Sequence, residues 1–422
     1  MEEYNRIKIQ HICSNICSGG TPKSTVTEYY GGNIPWLNTK EINFNQIYKT
    51  EKTITNEGLN NSSAKWIPAK SVIVAMYGAT AGKAAINRIP LTTNQACCNL
   101  MINPTKADYR FVYYALCNDY TYLASLANGG AQQNLNAQQI KDFAIPLPSL
   151  EGQKRIANIL SSLDDKIELN RRINENLEQQ AQALFKSWFV DFEPFKDGKF
   201  VDSELGMIPE ELTISRIGDI PHTIESGRRP KGGAVLKGIP SIGAENIKGL
   251  GYYDYSKTKY IPEDFALTTN RGKVYGYELL IYKDGGKPGY FIPNYTIFGE
   301  GFPFDEMYIN EHVFRLDFMS KEYNVFAYFY MQTPYIMNQL NSIGGKAAIP
   351  GINTKDVESL PIFNGDNKKI QEFGNLVLPM ITTILRNCRE NARLAQLRDT
   401  LLPRFMSGEL AITDVDDRSI FQ

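Results

Sequence analysis

The sequence predicts an α+β protein in which an α/β unit followed by a long helix occurs twice along one chain. Two observations lead to this prediction: a heptad pattern appears twice, and a series of short motifs recurs around it in the same order. A duplication this long indicates two copies of a domain, each large enough to bury its own core. If the two helices pair antiparallel, a pseudo-twofold axis relates the copies.

The two heptad patterns span residues 152–189 and 370–405. Apolar side chains recur there at steps of four and three, and asparagines fill two seam positions in each copy. The asparagines are 217 residues apart in both cases (387 minus 170, and 391 minus 174). The predicted interface residues are Ile156, Leu160, Leu163, Ile167, Asn170, Asn174, Leu177, Leu184, Trp188, Met380, Ile384, Asn387, Asn391, Leu394, Leu401 and Phe405.

A buried seam asparagine lowers stability and fixes the register against a specific partner. The matching pairs therefore predict that the two helices face each other as a coiled coil, while docking of each seam on a different protein stays an alternative. Gly374 and Pro379 predict that the second helix is bent or begins late.

Five motifs of the first unit return in the second unit in the same order. They are SGGTPK (18–23) with SGRRPK (226–231), IPWLNTKEIN (34–43) with IPSIGAENIK (239–248), VAMYGATAGKAAI (74–86) with LIYKDGGKPGYFI (280–292), TTNQA (92–96) with YINEH (308–312), and LNAQQI (135–140) with INTKDV (352–357). The predicted boundaries are a first unit at 1–148, its helix at 149–192, a linker at 193–212, a second unit at 213–363, its helix at 364–410 and a tail at 411–422.

Composition favours a cytoplasmic globular protein. No run approaches the eighteen or so apolar residues of a membrane span, and the N-terminus shows no signal-peptide pattern. The six cysteines lack paired zinc-ligand spacing, so we expect no metal site, and Cys97 and Cys98 are expected on opposite faces of a strand. The net charge of -1 means that phosphate contacts must come from local basic patches or from a partner.

The sequence contains no coherent active site. GATAGKA (78–84) has three residues between its glycines and Ala84 where a P-loop requires Ser or Thr. The Asn-Pro-Pro-aromatic tetrapeptide of amino-methyltransferases is missing. Asp164, Asp165 and Lys166 are interpreted as a solvated charged face. A self-sufficient nuclease or methyltransferase would need a site that the sequence does not offer, so the chain is predicted not to be an enzyme.

Six motifs resemble the recurring motifs of one family, the specificity (S) subunits of type I restriction-modification systems. They are SGGTPKS, YGATAGKAAI, PLPSLEGQKRIA, SLDDKIELNRRINENLEQQAQALFKSWFVDFEPF, DSELGMIPEEL and LRDTLLPRFMSGEL. The resemblance covers essentially the full chain, and the long central motif is the most specific. Departures concentrate in the second unit, in SGRRPKGGAVLKG and YKDGGKPG.

The resemblance implies a non-catalytic subunit that reads double-stranded DNA for defence against foreign DNA. Each unit would be a target recognition domain for one half of an asymmetric, bipartite site. The helices would be a spacer that docks two methyltransferase (M) subunits, which restriction (R) subunits join. The chain itself would need no cofactor, whereas its partners would use S-adenosylmethionine, ATP and Mg²⁺. The competing hypothesis is a two-domain coiled-coil scaffold that binds proteins and no DNA.

Base edges require hydrogen-bond donors and acceptors, so polar residues expected to be exposed on loops are candidates for DNA contacts. The candidates in the first unit are Thr21, Lys23, Lys40, Tyr77, Lys83, Gln132, Gln133 and Asn134. Those in the second are Arg228, Arg229, Lys231, Asn246, Lys248, Lys283, Lys287 and Lys346. A solvated or turn-forming role explains any single one of them equally well.

Overall fold

The computed structural model describes residues 4–127, 134–285, 290–345 and 350–410. It divides into two compact units. Unit 1 comprises Met1–Asp165 and Leu394–Gln422, and unit 2 comprises Lys166–Arg393. Within the described residues, no helix is both long and apolar enough to cross a bilayer.

The first half of the chain contains the following elements: β1 (Arg6–Lys8), α1 (Ile9–Ile12), β2 (Cys13–Ser18), β3 (Tyr30–Leu37), β4 (Asn45–Ile47), β5 (Lys52–Ile54), α2 (Asn56–Asn60), β6 (Val72–Ala75), β7 (Ala84–Asn87), β8 (Thr92–Thr93), β9 (Cys97–Ile102), α3 (Tyr109–Asn118), α4 (Tyr120–Ser125), α5 (Ala137–Asp142), β10 (Ala144–Pro146) and α6 (Leu150–Phe189). A five-stranded sheet has the order β2-β9-β6-β7-β4, a three-stranded sheet has the order β5-β3-β8, and β1 pairs with β10.

The second half contains β11 (Phe200–Ser203), β12 (Gly206–Pro209), β13 (Ile214–Arg216), β14 (Thr223–Ser226), β15 (Ile239–Ile242), β16 (Lys259–Ile261), α7 (Glu263–Thr268), β17 (Leu279–Tyr282), β18 (Tyr295–Ile297), β19 (Tyr308–Ile309), β20 (Val313–Asp317), α8 (Lys321–Tyr330), α9 (Pro334–Gly344), α10 (Thr354–Glu358), β21 (Pro361–Phe363) and α11 (Lys368–Met406). Its larger sheets have the orders β14-β20-β17-β18 and β16-β15-β19, and β13 pairs with β21.

The two halves have the same topology, which confirms the predicted duplication. The order β2-β9-β6-β7 in unit 1 corresponds to β14-β20-β17-β18 in unit 2, and β5-β3-β8 corresponds to β16-β15-β19. The strand directions agree as well, because β3 and β15 each pair antiparallel with one neighbour and parallel with the other. Unit 1 has one further strand, β4, at the edge of its larger sheet.

Side chains of the unit 1 strands alternate between the two faces of the sheet and contribute to a core on each face. Cys98 packs with the helices on one face of its strand, whereas Cys97 packs on the other face, as a period of two requires. The N-terminus of α3 is capped by Asp108, whose carboxylate accepts hydrogen bonds from the backbone N–H groups of Arg110 and Phe111. This cap fixes where the helix begins on the sheet.

The long helices pair antiparallel, as the seams predicted. In unit 2, Asn170 Nδ2 donates to Asn391 Oδ1 at 2.9 Å, and Asn387 Nδ2 donates to Asn174 Oδ1 at 2.8 Å. The partner number falls as the residue number rises, which defines the direction. All of the predicted interface residues are buried or half-buried. Each seam asparagine therefore forms at least one hydrogen bond with the facing helix, which is how such residues fix register.

Two features of the helical segments differ from the sequence prediction. Helix α11 begins at Lys368, ahead of Gly374 and Pro379, so its start is not delayed. A Cβ at Gly374 would lie 2.7 Å from the backbone oxygen of Glu322, so glycine is needed there for close packing. The predicted linker at 193–212 contains the β11-β12 hairpin and packs on the core of unit 2 through buried apolar residues, namely Phe195, Ile208 and Leu212.

Asp164 is not part of a solvated face, which corrects the prediction. Its side chain is 15% exposed because Arg398 Nη1 contacts one carboxylate oxygen at 2.7 Å and the Tyr114 hydroxyl donates to the other at 2.6 Å. Asp165 does lie at the surface, where it pairs with Arg88. The charged sequence therefore contains one structural carboxylate that ties helix α6 to α11 and α3 within unit 1.

We predict that Arg398→Met lowers the free energy of unfolding by about 2–4 kcal/mol, because the mostly buried Asp164 carboxylate loses its cationic partner. Urea unfolding followed by circular dichroism measures the change. The matched control is Arg389→Met on the same helix. Its ion pair with Asp305 is exposed, so its loss should cost less than about 1 kcal/mol. Equal losses in the two variants would contradict a structural role for the buried pair.

Candidate nucleic-acid interface

Three backbone hydrogen bonds hold the strand-end loops of unit 1 together. Asn94 N donates to Leu37 O at 3.0 Å, Met76 N donates to Ala96 O at 2.8 Å, and Leu135 N donates to Met76 O at 2.8 Å. These bonds join the loops that follow β3, β6, β8 and the segment before α5. The loops therefore meet at one edge of the unit, where polar side chains from distant parts of the sequence become neighbours.

Unit 2 contains the same set of bonds. Asn310 N donates to Ile242 O at 2.9 Å, Lys283 N donates to His312 O at 3.1 Å, and Ile352 N donates to Lys283 O at 2.8 Å. We call these three bonds in each unit the loop frame. Because the frame uses only main-chain groups, its geometry does not depend on which side chains the loops carry.

The loop frame corrects one of the motif matches by one residue. The match of 74–86 with 280–292 places Met76 opposite Tyr282, but in the frame Met76 corresponds to Lys283. Strand pairing agrees, because Ala75 pairs with Cys97 just as Tyr282 pairs with Val313. The glycine-rich turns after these strands differ in sequence, so motif matching slipped there.

As a consequence, the counterpart of Tyr77 is Asp284. Tyr77 forms an isolated antiparallel bridge with Asn134, and Asp284 forms one with Gly351. The two bridges occupy the same place in the two units, yet one offers a phenol and the other a carboxylate.

The structure places Thr21, Tyr77 and Asn134 at this edge. Thr21 is exposed and its hydroxyl donates to Gln95 Oε1, and Lys23 beside it is exposed. Tyr77 is 45% exposed, and Asn134 is exposed across the bridge from it.

Two lysines of unit 1 are already engaged within the protein. Lys83 Nζ donates to Asn43 Oδ1 at 2.7 Å and lies 5.7 Å from the centre of the Phe44 ring. Lys40 is exposed and pairs with Glu51 at 3.0 Å. Gln132 and Gln133, also predicted as DNA contacts, lie outside the described residues.

Unit 2 presents a more strongly charged edge. Arg228 and Lys231 are exposed, and the Arg229 guanidinium lies 3.8 Å from the Glu311 carboxylate. A recess in this surface is lined by basic groups such as Lys259, together with the Glu311 carboxylate and uncharged residues. Lys287 and Lys346 lie outside the described residues.

Two further lysines of unit 2 lie over aromatic rings. Lys248 is exposed, with Nζ 5.3 Å from the centre of the Tyr252 ring. Lys283 is half-buried, with Nζ 4.9 Å from the centre of the Phe314 ring. Contacts of this kind hold an ammonium group in place while leaving it charged.

The prediction that Asn246 is exposed is wrong. Only 1% of this residue is exposed, and its side-chain oxygen accepts a hydrogen bond from Asp254 N at 2.9 Å. It closes the turn that leads to residue 254 and offers no atom to a ligand. The sequence could not separate this role from an exposed one, since asparagine is common in both.

Sequence reasoning missed four polar residues at the loop edges: Gln95, Asp284, Glu311 and His312. His312 Nδ1 lies 2.8 Å from Asp284 Oδ1, and its Nε2 lies 3.6 Å from Glu311 Oε1. The match of TTNQA with YINEH contained a signal, because it aligned Gln95 with Glu311. The sequence prediction favoured basic residues and therefore left out Gln95 and Glu311.

Two thiols of unit 1 are poor nucleophiles. Burial raises the pKa of Cys13 and of Cys98 to about 12, so both remain protonated and weakly nucleophilic at neutral pH. In the part of the chain that the structure describes, no three His, Cys, Asp or Glu side chains are grouped to hold a metal ion.

Comparison with known proteins finds similarity to one family. A family model described as type I restriction modification DNA specificity domain matches residues 1–179. The MjaIX specificity subunit, a type I restriction enzyme subunit of Methanocaldococcus jannaschii, is 29% identical over 98% of this chain and 95% of its own length. Over nearly its whole length the chain is therefore similar to type I restriction enzyme specificity subunits.

Further specificity subunits show the same similarity. The HindI specificity subunit of Haemophilus influenzae is 26% identical, with 69% of this chain and 74% of that protein covered. The crystal structure of an S subunit from M. genitalium has a TM-score of 0.63 with this chain at 17% sequence identity, and covers 95% of this chain and 96% of its own. This structural likeness establishes the shared fold of the specificity subunits.

We predict that Asn246→Ala lowers the free energy of unfolding by about 1–2 kcal/mol, because the backbone N–H of Asp254 loses its acceptor. Base preference should be unchanged. Lys248→Ala is the control, because this exposed lysine should affect DNA affinity and leave stability within about 0.5 kcal/mol. Thermal unfolding and binding to labelled DNA duplexes measure the two effects. A changed base preference in the Asn246 variant would contradict its assignment as a structural residue.

Proposed function

We propose that this specificity subunit reads an asymmetric, bipartite site in double-stranded DNA and carries no active site of its own. The observation that carries this proposal is the loop frame, which occurs in both units with different exposed side chains. One scaffold that occurs twice with different polar surfaces is suited to recognising two different DNA sequences. The candidate residues present amide, hydroxyl, guanidinium and ammonium groups, which are the groups that contact base edges.

The net charge of the chain supports DNA recognition as part of a larger assembly. The chain has 45 basic and 46 acidic residues, so it lacks the overall positive charge of a protein that clamps DNA alone. The exposed basic residues form local patches. One example is the recess that Arg228, Arg229 and Lys259 help to line. Partner subunits would therefore supply much of the contact with phosphates.

The partners in this proposal are two methyltransferase subunits and the restriction subunits that join them, in the cytoplasm. S-adenosylmethionine, ATP and Mg²⁺ would be used by those partners, and this chain would hold none of them. Apolar side chains on the long helices support docking of other proteins there. Leu169 and Ile173, one turn apart on α6, are 52% and 38% exposed, and Leu376 on α11 is 52% exposed, so each helix offers apolar surface to a partner.

We predict that co-expression of this chain with the methyltransferase subunits of its source cell methylates one bipartite, non-palindromic motif. Long-read sequencing of the host genome maps the methylated bases. Omission of this chain should abolish the pattern, because the partners alone lack the sequence information. The purified chain alone should transfer no methyl groups from labelled S-adenosylmethionine.

Two results would overturn the proposal. Methyl transfer by the isolated chain would reveal an active site. A chain that assembles with partners but confers no sequence preference on DNA binding or methylation would be a protein scaffold.

A further inference from the structure

A cross-loop contact occurs at equivalent positions of the two units. In unit 1 the Thr21 hydroxyl donates to Gln95 Oε1, and in unit 2 Arg229 Nη1 lies 3.8 Å from Glu311 Oε1. Thr21 and Arg229 are each the third residue after the last residue of a corresponding strand, β2 or β14. Gln95 and Glu311 each follow the asparagine whose backbone N–H belongs to the loop frame. The same two places meet in both units, although no residue type is shared.

A glycine explains why these places coincide. A Cβ at Gly19 would lie 2.1 Å from the carbonyl oxygen of Thr93, and a Cβ at Gly227 would lie 1.7 Å from that of Ile309. Both glycines come directly after the strand, and both carbonyls belong to the strand that precedes the second member of the contact. Only glycine permits this approach, so the backbone itself places the two loops together.

The fold does not depend on which side chains form the contact. The loop frame is made by main-chain groups, and the side chains of the pair lie at the surface. Thr21 and Gln95 are exposed, and the side chains of Arg229 and Glu311 are 70% and 34% exposed. A surface ion pair at this separation contributes little to stability. The pair can therefore vary between copies without cost to the scaffold.

The chemistry of the two pairs differs in the way that base edges differ. An amide such as that of Gln95 accepts from adenine N6 and donates to adenine N7 in the major groove. A guanidinium such as that of Arg229 donates to guanine O6 and N7, and a carboxylate such as that of Glu311 accepts from cytosine N4. Arg228 and Lys259 line the same recess as the unit 2 pair and add positive charge beside it.

We propose that these pairs determine base specificity: the Thr21–Gln95 pair selects an A·T base pair, and the Arg229–Glu311 pair selects a G·C base pair. The proposal rests on the function proposed above and names the residues that carry it. In complex with DNA, the two members of each pair exchange their mutual contact for contacts to one base pair or to neighbouring base pairs.

The test transplants the pair of one unit into the other. The double variant Thr21→Arg with Gln95→Glu, assembled with the methyltransferase subunits, should replace an A·T requirement by a G·C requirement in one half of the methylated motif. The other half should remain unchanged. The reverse transplant, Arg229→Thr with Glu311→Gln, should alter only that other half. The matched control is Lys8→Thr with Asp142→Asn, an exposed ion pair of unit 1 away from the loop edge.

The single variants Gln95→Glu and Glu311→Gln keep the size of the side chain, so they test the proposal if a double variant fails to fold. Selection from randomised duplexes by the assembled complex should show discrimination at one position changed by about tenfold or more. Unchanged discrimination in variants that bind DNA as well as the parent would overturn this inference and leave the proposed function standing. A parent complex without any sequence preference would instead overturn the proposed function.

Discussion

The loop frame is the constraint on which the rest of the molecule depends. It fixes the ends of four chain segments in each unit through backbone N–H and carbonyl groups, and a glycine without Cβ closes it against the neighbouring strand. Main-chain bonds tolerate substitution of the side chains around them. A protein built on such a frame keeps its fold while the residues at the loop edge change. A protein that recognises varied DNA sequences requires this separation of the scaffold from the recognition surface.

The pairing of the long helices requires a second constraint, because two similar helices must pair in one register. The seam asparagines 170, 174, 387 and 391 satisfy one another across the pair in unit 2. A register shifted by one turn would keep only one of the two asparagine pairs, so the other two amides would lose their partners, which costs free energy. The polar centre therefore lowers stability relative to an all-apolar seam and raises the specificity of pairing.

The two copies of the helical arm differ where each meets its own unit. In unit 1 the contact includes a polar cluster beside its apolar packing, with Asp164 held by Arg398 and Tyr114. The positions 217 residues away, as for the seam asparagines, are Ile381 for Asp164 and Ala181 for Arg398. Both are buried in the apolar core of unit 2, and the ring of Phe185 packs there against that of Phe373. These differences make the copies chemically distinct, so a segment of one arm cannot replace its counterpart at equal stability.

Much of the fold could be predicted from the sequence because periodic patterns of residues determine it. The heptads and the asparagines at constant spacing predicted the paired helices, and the ordered motifs predicted the duplicated topology. The errors arose where local chemistry is ambiguous. Asn246 is buried because it closes a turn, a role that its residue type does not reveal. The glycine-rich turn after Ala75 allowed a slip of one residue, and correcting it required the hydrogen-bond register.

The candidate interface was predicted less completely than the fold, for a physical reason. Gln95 and Glu311 lie far in sequence from the residues that they contact, and the short motif match that contains them does not reveal those contacts. Only the folded loop edge brings them beside Thr21 and Arg229. Periodicity reports which residues are buried, but it carries no information about which exposed residues meet. Binding surfaces assembled from several loops therefore become visible only in the structure.

Site-specific crosslinking tests the central claim, that the equivalent loop edges of both units face DNA. A photoreactive benzoylphenylalanine replaces Thr21 or Arg229, one at a time, in the subunit assembled with its methyltransferase partners on a duplex that contains the methylated motif. The account predicts that both positions crosslink to DNA, each to bases in a different half of the motif. Crosslinks from either position to a partner protein alone, or from both positions to the same half, would contradict it.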